Sequence, residues 1–153
     1  MRTAWLLLLA ATACGGPIRA YPRWTLDGDT HFAHGCLDAD AFVRVSGKTG
    51  VGVTLALRSH ATCAVRITRA ELIVDQLRVP AEVPPPPALP GRTLAYVWLP
   101  FAFDNNAAWN DDHRAGRFEL ELAIGDEAPV TWTIPAHHAF VAGRWDESTT
   151  RTY

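Results

Sequence analysis

Three groups of side chains in this chain of 153 residues have types and spacings that could do chemistry. The first is His31-x-x-His34-x-Cys36, three donors suited to zinc or copper within six residues. It matches no metal motif and lies in a Gly/Asp-rich stretch that reads as loop, so no metal is expected there. The second is the polar run Asp104, Asn105, Asn106, Trp109, Asn110, Asp111 and Asp112, followed by His113 and Arg114. Clustered hard oxygens suit calcium, which takes six to eight of them, but the ligand order and central glycine of an EF-hand are missing. Trp109 could stack on a sugar ring or anchor a partner. The plainer reading is a solvated loop whose Asn and Asp residues make turns, with Trp109 capping the end of the domain. The third is His137-His138, which with His113 or His60 could hold a metal. Adjacent residues of a strand point to opposite faces, which argues against it.

Nucleophilic and phosphate chemistry find no support. There is no Gly-x-Ser-x-Gly elbow, and Ser46, Ser59 and Ser148 stand in no catalytic setting. Gly47-Lys48-Thr49 lacks the upstream glycine and the following helix of a P-loop. No Cys-x-x-Cys is present. No catalytic residue and no cofactor are assigned, and the expectation is a protein that is not an enzyme. Lys and Arg number 14 against 16 Asp and Glu, a net charge of −2. That balance excludes a broad basic face, and with it nucleic acid as the default partner.

The N-terminus carries an address. Arg2 precedes the apolar run Trp5 to Ala11, which is far shorter than the roughly 20 residues of a bilayer-spanning helix. A basic start, a short apolar core and the small residues Ala11-Thr12-Ala13 read as a secretory signal peptide. The stretch Leu9-Ala10-Ala11-Thr12-Ala13-Cys14, followed by Gly15-Gly16, resembles the lipobox of bacterial lipoprotein precursors. Ala11 stands where that family most often has Leu. The resemblance implies cleavage before Cys14, diacylation of its thiol and acylation of the new amine. Gly15, where an Asp would retain the protein at the inner membrane, implies the outer membrane. The alternative is a plain secreted protein whose first mature residue is a cysteine. Each buried methylene contributes about 0.8 kcal/mol, so two or three acyl chains on Cys14 hold a protein to a membrane where one does so only marginally. Loss of Arg2 with the leader leaves 13 basic residues against 16 acidic, a net −3.

Export places Cys36 and Cys63 in a compartment that permits disulfides, and two cysteines allow one intramolecular pairing. Closing a loop of about 28 residues would contribute about 3.5 kcal/mol in the chain-entropy view. Free thiols and metal ligation are the rival uses.

The elements that must position these groups read as strands. Residues 15–40 look irregular, with a turn at Asp27-Gly28-Asp29 and with Trp24 and Phe32 docking on the domain. From Ala41 the pattern has period two: 41–45, then Val51, Val53, Leu55 and Leu57, then Cys63, Val65 and Ile67. The parity changes between Ile67 and Ala70, which signals a bulge or two strands. Six of the eleven prolines fall between Val79 and Arg92, a stiff connection poor in backbone donors. Leu94 to Leu99 is apolar on both parities and reads as a central, doubly buried strand ended by Pro100. Phe118, Leu120, Leu122 and Ile124 alternate with Arg117, Glu119 and Glu121, and Val130, Trp132 and Ile134 complete an antiparallel hairpin. His137 to Val141 reads as a last short strand.

Seven or eight short strands and no amphipathic helix point to an all-β fold, an antiparallel two-sheet sandwich. Val53 to Ser59 leading into Cys63 to Ile67, with the hairpin at 117–134, resembles an immunoglobulin-like or fibronectin-type-III-like domain. The Cys…Trp…Cys spacing of immunoglobulin domains is absent, since Trp98 follows both cysteines. The resemblance implies an architecture and no activity. The expected organisation is a signal peptide over 1–13, a lipidated tether and lead-in over 14–37, the sandwich over 38–141 and a polar tail over 142–153. The expected role is a non-enzymatic, lipid-anchored envelope protein serving protein interaction or envelope structure, bound to the membrane through acyl chains on Cys14. The alternative is a calcium- or carbohydrate-binding module using the loop from Asp104 to Arg114.

Overall fold

The computed structural model describes residues 19–47, 50–61, 63–82, 92–102 and 114–143, all of them strand, turn or connection. Nine strands follow one another: β1 (Arg19–Leu26), β2 (His31–His34), β3 (Leu37–Gly47), β4 (Gly50–Ser59), β5 (Val65–Val74), β6 (Leu77–Pro80), β7 (Leu94–Ala102), β8 (Arg114–Ile124) and β9 (Val130–Gly143). They build two antiparallel sheets. One has the order β1-β9-β8-β5-β6 and the other β2-β3-β4-β7. From β3 onward the chain puts its first, second and fifth strands on one sheet and its third, fourth, sixth and seventh on the other. That is the connectivity of an immunoglobulin-like sandwich whose fourth strand has joined the opposite sheet.

The alternating residues meet between the sheets. Val51, Val53, Leu55 and Leu57 of β4 face Phe118, Leu120, Leu122 and Ile124 of β8, and all eight are buried. A fully buried Leu or Phe contributes on the order of 1.5–3 kcal/mol, so this paired stripe dominates the stability of the layers. Aromatic contacts join them: Phe101 of β7 lies 5.1 Å from Phe118 of β8, and Phe32 of β2 stacks on Trp132 of β9 at 5.3 Å. The parity change in β5 is a register shift between Ile67 and Arg69 within one continuous strand. A second shift falls between Val43 and Val45 of β3.

Three expectations need correction. The stretch read as an irregular lead-in supplies β1, β2 and the start of β3. Trp24 is 1% exposed and packs against Phe118 and His138, and β1 pairs with β9 along its length, from Arg19 opposite Gly143 to Leu26 opposite Ala136. The weak signal reflects an edge strand in which the buried Trp24 is flanked by Arg23 and Thr25. Secondly, β9 runs unbroken through Pro135 and His138, so the expected last strand is the end of the hairpin. Thirdly, β7 is an edge strand and extends through Pro100 to Ala102. Its apolar residues on both parities are core on one side and open surface on the other. Pro100 is tolerated because an edge strand can turn a residue without N–H away from its neighbour.

Candidate functional site

The outward residues of the four-stranded sheet lie in cross-strand rows fixed by the register. Ala33, Asp38, Arg58 and Leu94 form one row, and His31, Asp40, Ala56 and Tyr96 the next. Phe42, Thr54 and Trp98 form a third. Leu94, Tyr96 and Trp98 are 50%, 65% and 44% exposed. The floor beside them is made of small residues of β4, Gly52, Thr54 and Ala56. Gly52 has no Cβ, and the Trp98 indole lies in the space a Cβ would need. The ring therefore rests against the sheet and covers Thr54 and Gly52, both buried on what would otherwise be the open face. Arg44 sits over the Phe42 ring at 5.6 Å, extending the same surface with a cation.

Polar groups border this aromatic patch. His31 Nδ1 lies 3.0 Å from an Asp40 carboxylate oxygen, and His60 Nε2 is hydrogen-bonded to Asp38. The His60 hydrogen bond holds the Asp38 carboxyl below its ordinary range, and the charges of His60, His31 and Arg58 add to the effect. The opposite outer face, on the five-stranded sheet, has a different character. Arg69, Glu71, Arg78, Arg117, Glu119 and Glu121 form a continuous ion-pair ladder there. Glu119 is held below the usual carboxylate range by its hydrogen bond from Arg117, with the charges of Arg117, Arg78 and Arg69 adding. One face is thus saturated with its own salt bridges, while the other offers half-exposed rings.

The groups singled out in the sequence are dispersed. Cys36 and Cys63 are joined in a disulfide, with Cα atoms 6.6 Å apart. This bond ties the β2–β3 turn to the β4–β5 connection. His31 and His34 turn to different carboxylates, His34 Nε2 reaching Glu127 at 3.0 Å. Among the described residues no three His, Cys, Asp or Glu side chains group to hold a metal ion. His137 meets Asp27 at 2.7 and 2.9 Å, while His138 is buried against Trp24, so the adjacent pair does split between faces. The segment Asp104 to His113 lies outside the described residues, as does Cys14. Arg114 opens β8 and pairs with Asp75 at 3.2 Å. A hollow of about 560 Å³ beside the disulfide is lined by Cys36, Cys63, Ile124 and Glu127 among others.

Sequence reasoning found the aromatic residues of β7 and assigned them to the core. The signal that places them on the surface is Pro100, since a proline inside an apolar strand marks an edge. No protein-family model matches this chain, and neither curated proteins nor solved structures give a match.

Proposed function

We propose that this protein is a non-enzymatic, lipid-anchored component of a bacterial cell envelope, held at the outer membrane through Cys14, that works by presenting the outer face of its four-stranded sheet to a protein partner. The observation that carries the binding half of this reading is the exposure of Leu94, Tyr96 and Trp98 on one face, opposite a face covered by ion pairs. Exposed aromatic residues bordered by polar groups are typical of contact surfaces. The anchoring half rests on the leader and the lipobox-like stretch ending at Cys14. The pairing of Arg19 with Gly143 puts the start of β1 at the same end of the sandwich as Ala102 and Arg114. Cys14 precedes Arg19 by five residues, at most about 17 Å of chain. An acylated Cys14 would hold that end towards the membrane and turn the disulfide end away from it.

The anchor is tested by metabolic labelling of the full chain with a clickable fatty acid. Label on the wild-type chain and none on Cys14→Ser is expected; label retained by Cys14→Ser would sink the proposal. The surface is tested by in-cell crosslinking from a photoreactive residue at position 96. Adducts that vanish with Trp98→Lys are expected, and no adduct at all would refute a protein partner.

A second reading is a calcium- or carbohydrate-binding module using the segment Asp104 to Arg114. It is favoured by the direct continuation of that segment from β7, whose exposed rings could stack on sugars. A rise in melting midpoint on adding calcium or an envelope glycan, reversed by chelator in the first case, would support it. An unchanged midpoint with both would exclude it.

A further inference from the structure

The disulfide of this sandwich lies at its rim rather than in its core. Cys36 and Cys63 are both half-buried, and both line the hollow of about 560 Å³ at that end. Cys36 sits in the tight turn between β2 and β3. Its neighbour Gly35 is exposed, has a φ of 56° and has no side chain to shield the sulfur. Cys63 is backed differently. The hydroxyl of Ser59, a residue only 5% exposed, lies 3.8 Å from Cys63 Sγ. Ser59 Oγ also lies 3.0 Å from Ala61 O and 3.3 Å from Cys63 O, so its one hydrogen has a choice of acceptors.

Among the described residues, the charged side chains that line this hollow are Asp126 and Glu127, in the connection between β8 and β9. Both residues are exposed, and Glu127 is met at 3.0 Å by His34 Nε2. The sulfur atoms thus share their hollow with two carboxylates in contact with water. A thiol arriving there is repelled if it is anionic and attracted if it is cationic, more so at low salt.

We propose that the Cys36–Cys63 bond is a thiol-exchange site, opened by an external thiol that carries no negative charge, with Cys36 as the sulfur attacked. The site needs neither the anchor at Cys14 nor the partner surface. The incoming thiolate forms a bond to Cys36 Sγ, the S–S bond breaks, and its electron pair leaves on Cys63 Sγ. Two features select that direction. Cys36 lies in an exposed turn, while the buried Ser59 stands against Cys63. The Ser59 hydroxyl hydrogen, turned from Ala61 O, can also stabilise the departing thiolate by a charge-assisted hydrogen bond. A second thiolate then attacks the external sulfur of the mixed disulfide and releases Cys36, forming an external disulfide. Cys36 and Cys63 take up the two protons that the external thiols lost. Two thiols therefore give two electrons and two protons to the bond. The hydrogen bond from His60 N to Cys36 O and the pairing of β3 with β4 do not depend on the sulfur atoms, so the turn is freed without parting the sheet.

The test uses the oxidised full chain in mild detergent, without denaturant, at mildly alkaline pH and low salt. Three monothiols are compared: cationic cysteamine, neutral 2-mercaptoethanol and anionic 2-mercaptoethanesulfonate. Each rate is divided by that thiol's rate with a small model disulfide, which removes intrinsic reactivity. A reaction first order in thiol is expected. Cysteamine should be about fivefold faster than the sulfonate, and the difference should vanish in high salt or on combining Asp126→Asn with Glu127→Gln. Quenching by alkylation, followed by mass spectrometry, should find the thiol adduct on Cys36 and the alkyl group on Cys63. Ser59→Ala should spread the adduct over both sulfurs, and Ser59→Thr, which keeps the hydroxyl, should restore it. A rate independent of thiol concentration would overturn the proposal, because the bond is then reached only through the unfolded chain. An adduct on Cys63 of the wild-type chain would overturn it too, as would equal corrected rates for the three thiols. Circular dichroism checks that each variant is folded, and the wild-type measurements decide the matter if one is not. Cys14→Ser run alongside should react identically, since the exchange needs no anchor.

Discussion

The Trp98 indole and Gly52 share one space: the ring on β7 occupies the position that a Cβ on β4 would take. Gly52→Ala must move the ring or the strand, and overpacking of this kind costs on the order of 1–3 kcal/mol. In a Trp98→Ala background the obstacle is gone. The same substitution should then be neutral, or stabilising by roughly 0.4–1 kcal/mol through the unfolded chain. Urea unfolding of the four proteins measures this coupling. Equal costs in both backgrounds would show that Gly52 matters for another reason.

Removing the disulfide should be costly in a domain of this size. Cys63→Ser is expected to lower the unfolding free energy by roughly 3.5 kcal/mol, the chain-entropy value for the closed loop. Mass spectrometry after alkylation without reductant checks the bond itself. Two modified thiols at Cys36 and Cys63 in the folded protein would contradict it.

Asp38 should titrate below the ordinary aspartate range, since His60 donates to its carboxylate. A depressed carboxyl contributes stability that is present above the unfolded value and lost as pH falls through the folded one. The loss therefore belongs below about pH 4, the unfolded aspartate range. His60→Ala should move the Asp38 inflection upward, as followed by carbon-detected NMR. Glu119, held below the usual glutamate range by its hydrogen bond from Arg117, should respond in the same sense to Arg117→Ala. An Asp38 inflection that ignores His60→Ala would assign the depression to another group.

β1 should behave as part of the domain. Trp24→Ala removes a side chain that is 1% exposed and wedged between Phe118 and His138. Its expected cost is about 3–5 kcal/mol, typical of a buried aromatic residue. A cost under about 1 kcal/mol, the range of surface positions, would return β1 to the status of a tether.

The sequence spoke clearly where large apolar inner residues alternate with charged, polar or small outer ones. Val51 to Leu57, Phe118 to Ile124 and Val130 to Ile134 alternate because charged or small residues fill the outer positions, and all three strands stand where the pattern puts them. The bulge in β5 was visible as a break in parity. β7 misled because an apolar outer face looks, in one dimension, like a second core. β1 was hidden because its buried Trp24 stands between Arg23 and Thr25, close to a proline, and gives no clear alternation. The cysteine pair was anticipated from an expectation of export and from the count, and the bond is present. The aromatic patch was not, because it joins Phe42, Thr54 and Trp98 from three strands whose register only the fold determines.

The disulfide also defines what a mechanical pull on this protein can reach. Cys36 and Cys63 are 27 positions apart in sequence, and the segment between them contains β3 and β4 as a complete hairpin. Tension entering from the N-terminal side would strip β1 and β2 and then pass through the sulfur atoms, bypassing that hairpin. With the bond intact the stretched chain should fall short of its full contour by about 90 Å, at roughly 3.4 Å per residue. Adding a reductant during single-molecule extension should release that hidden length as a separate step, and an extension unchanged by reductant would place the bond elsewhere.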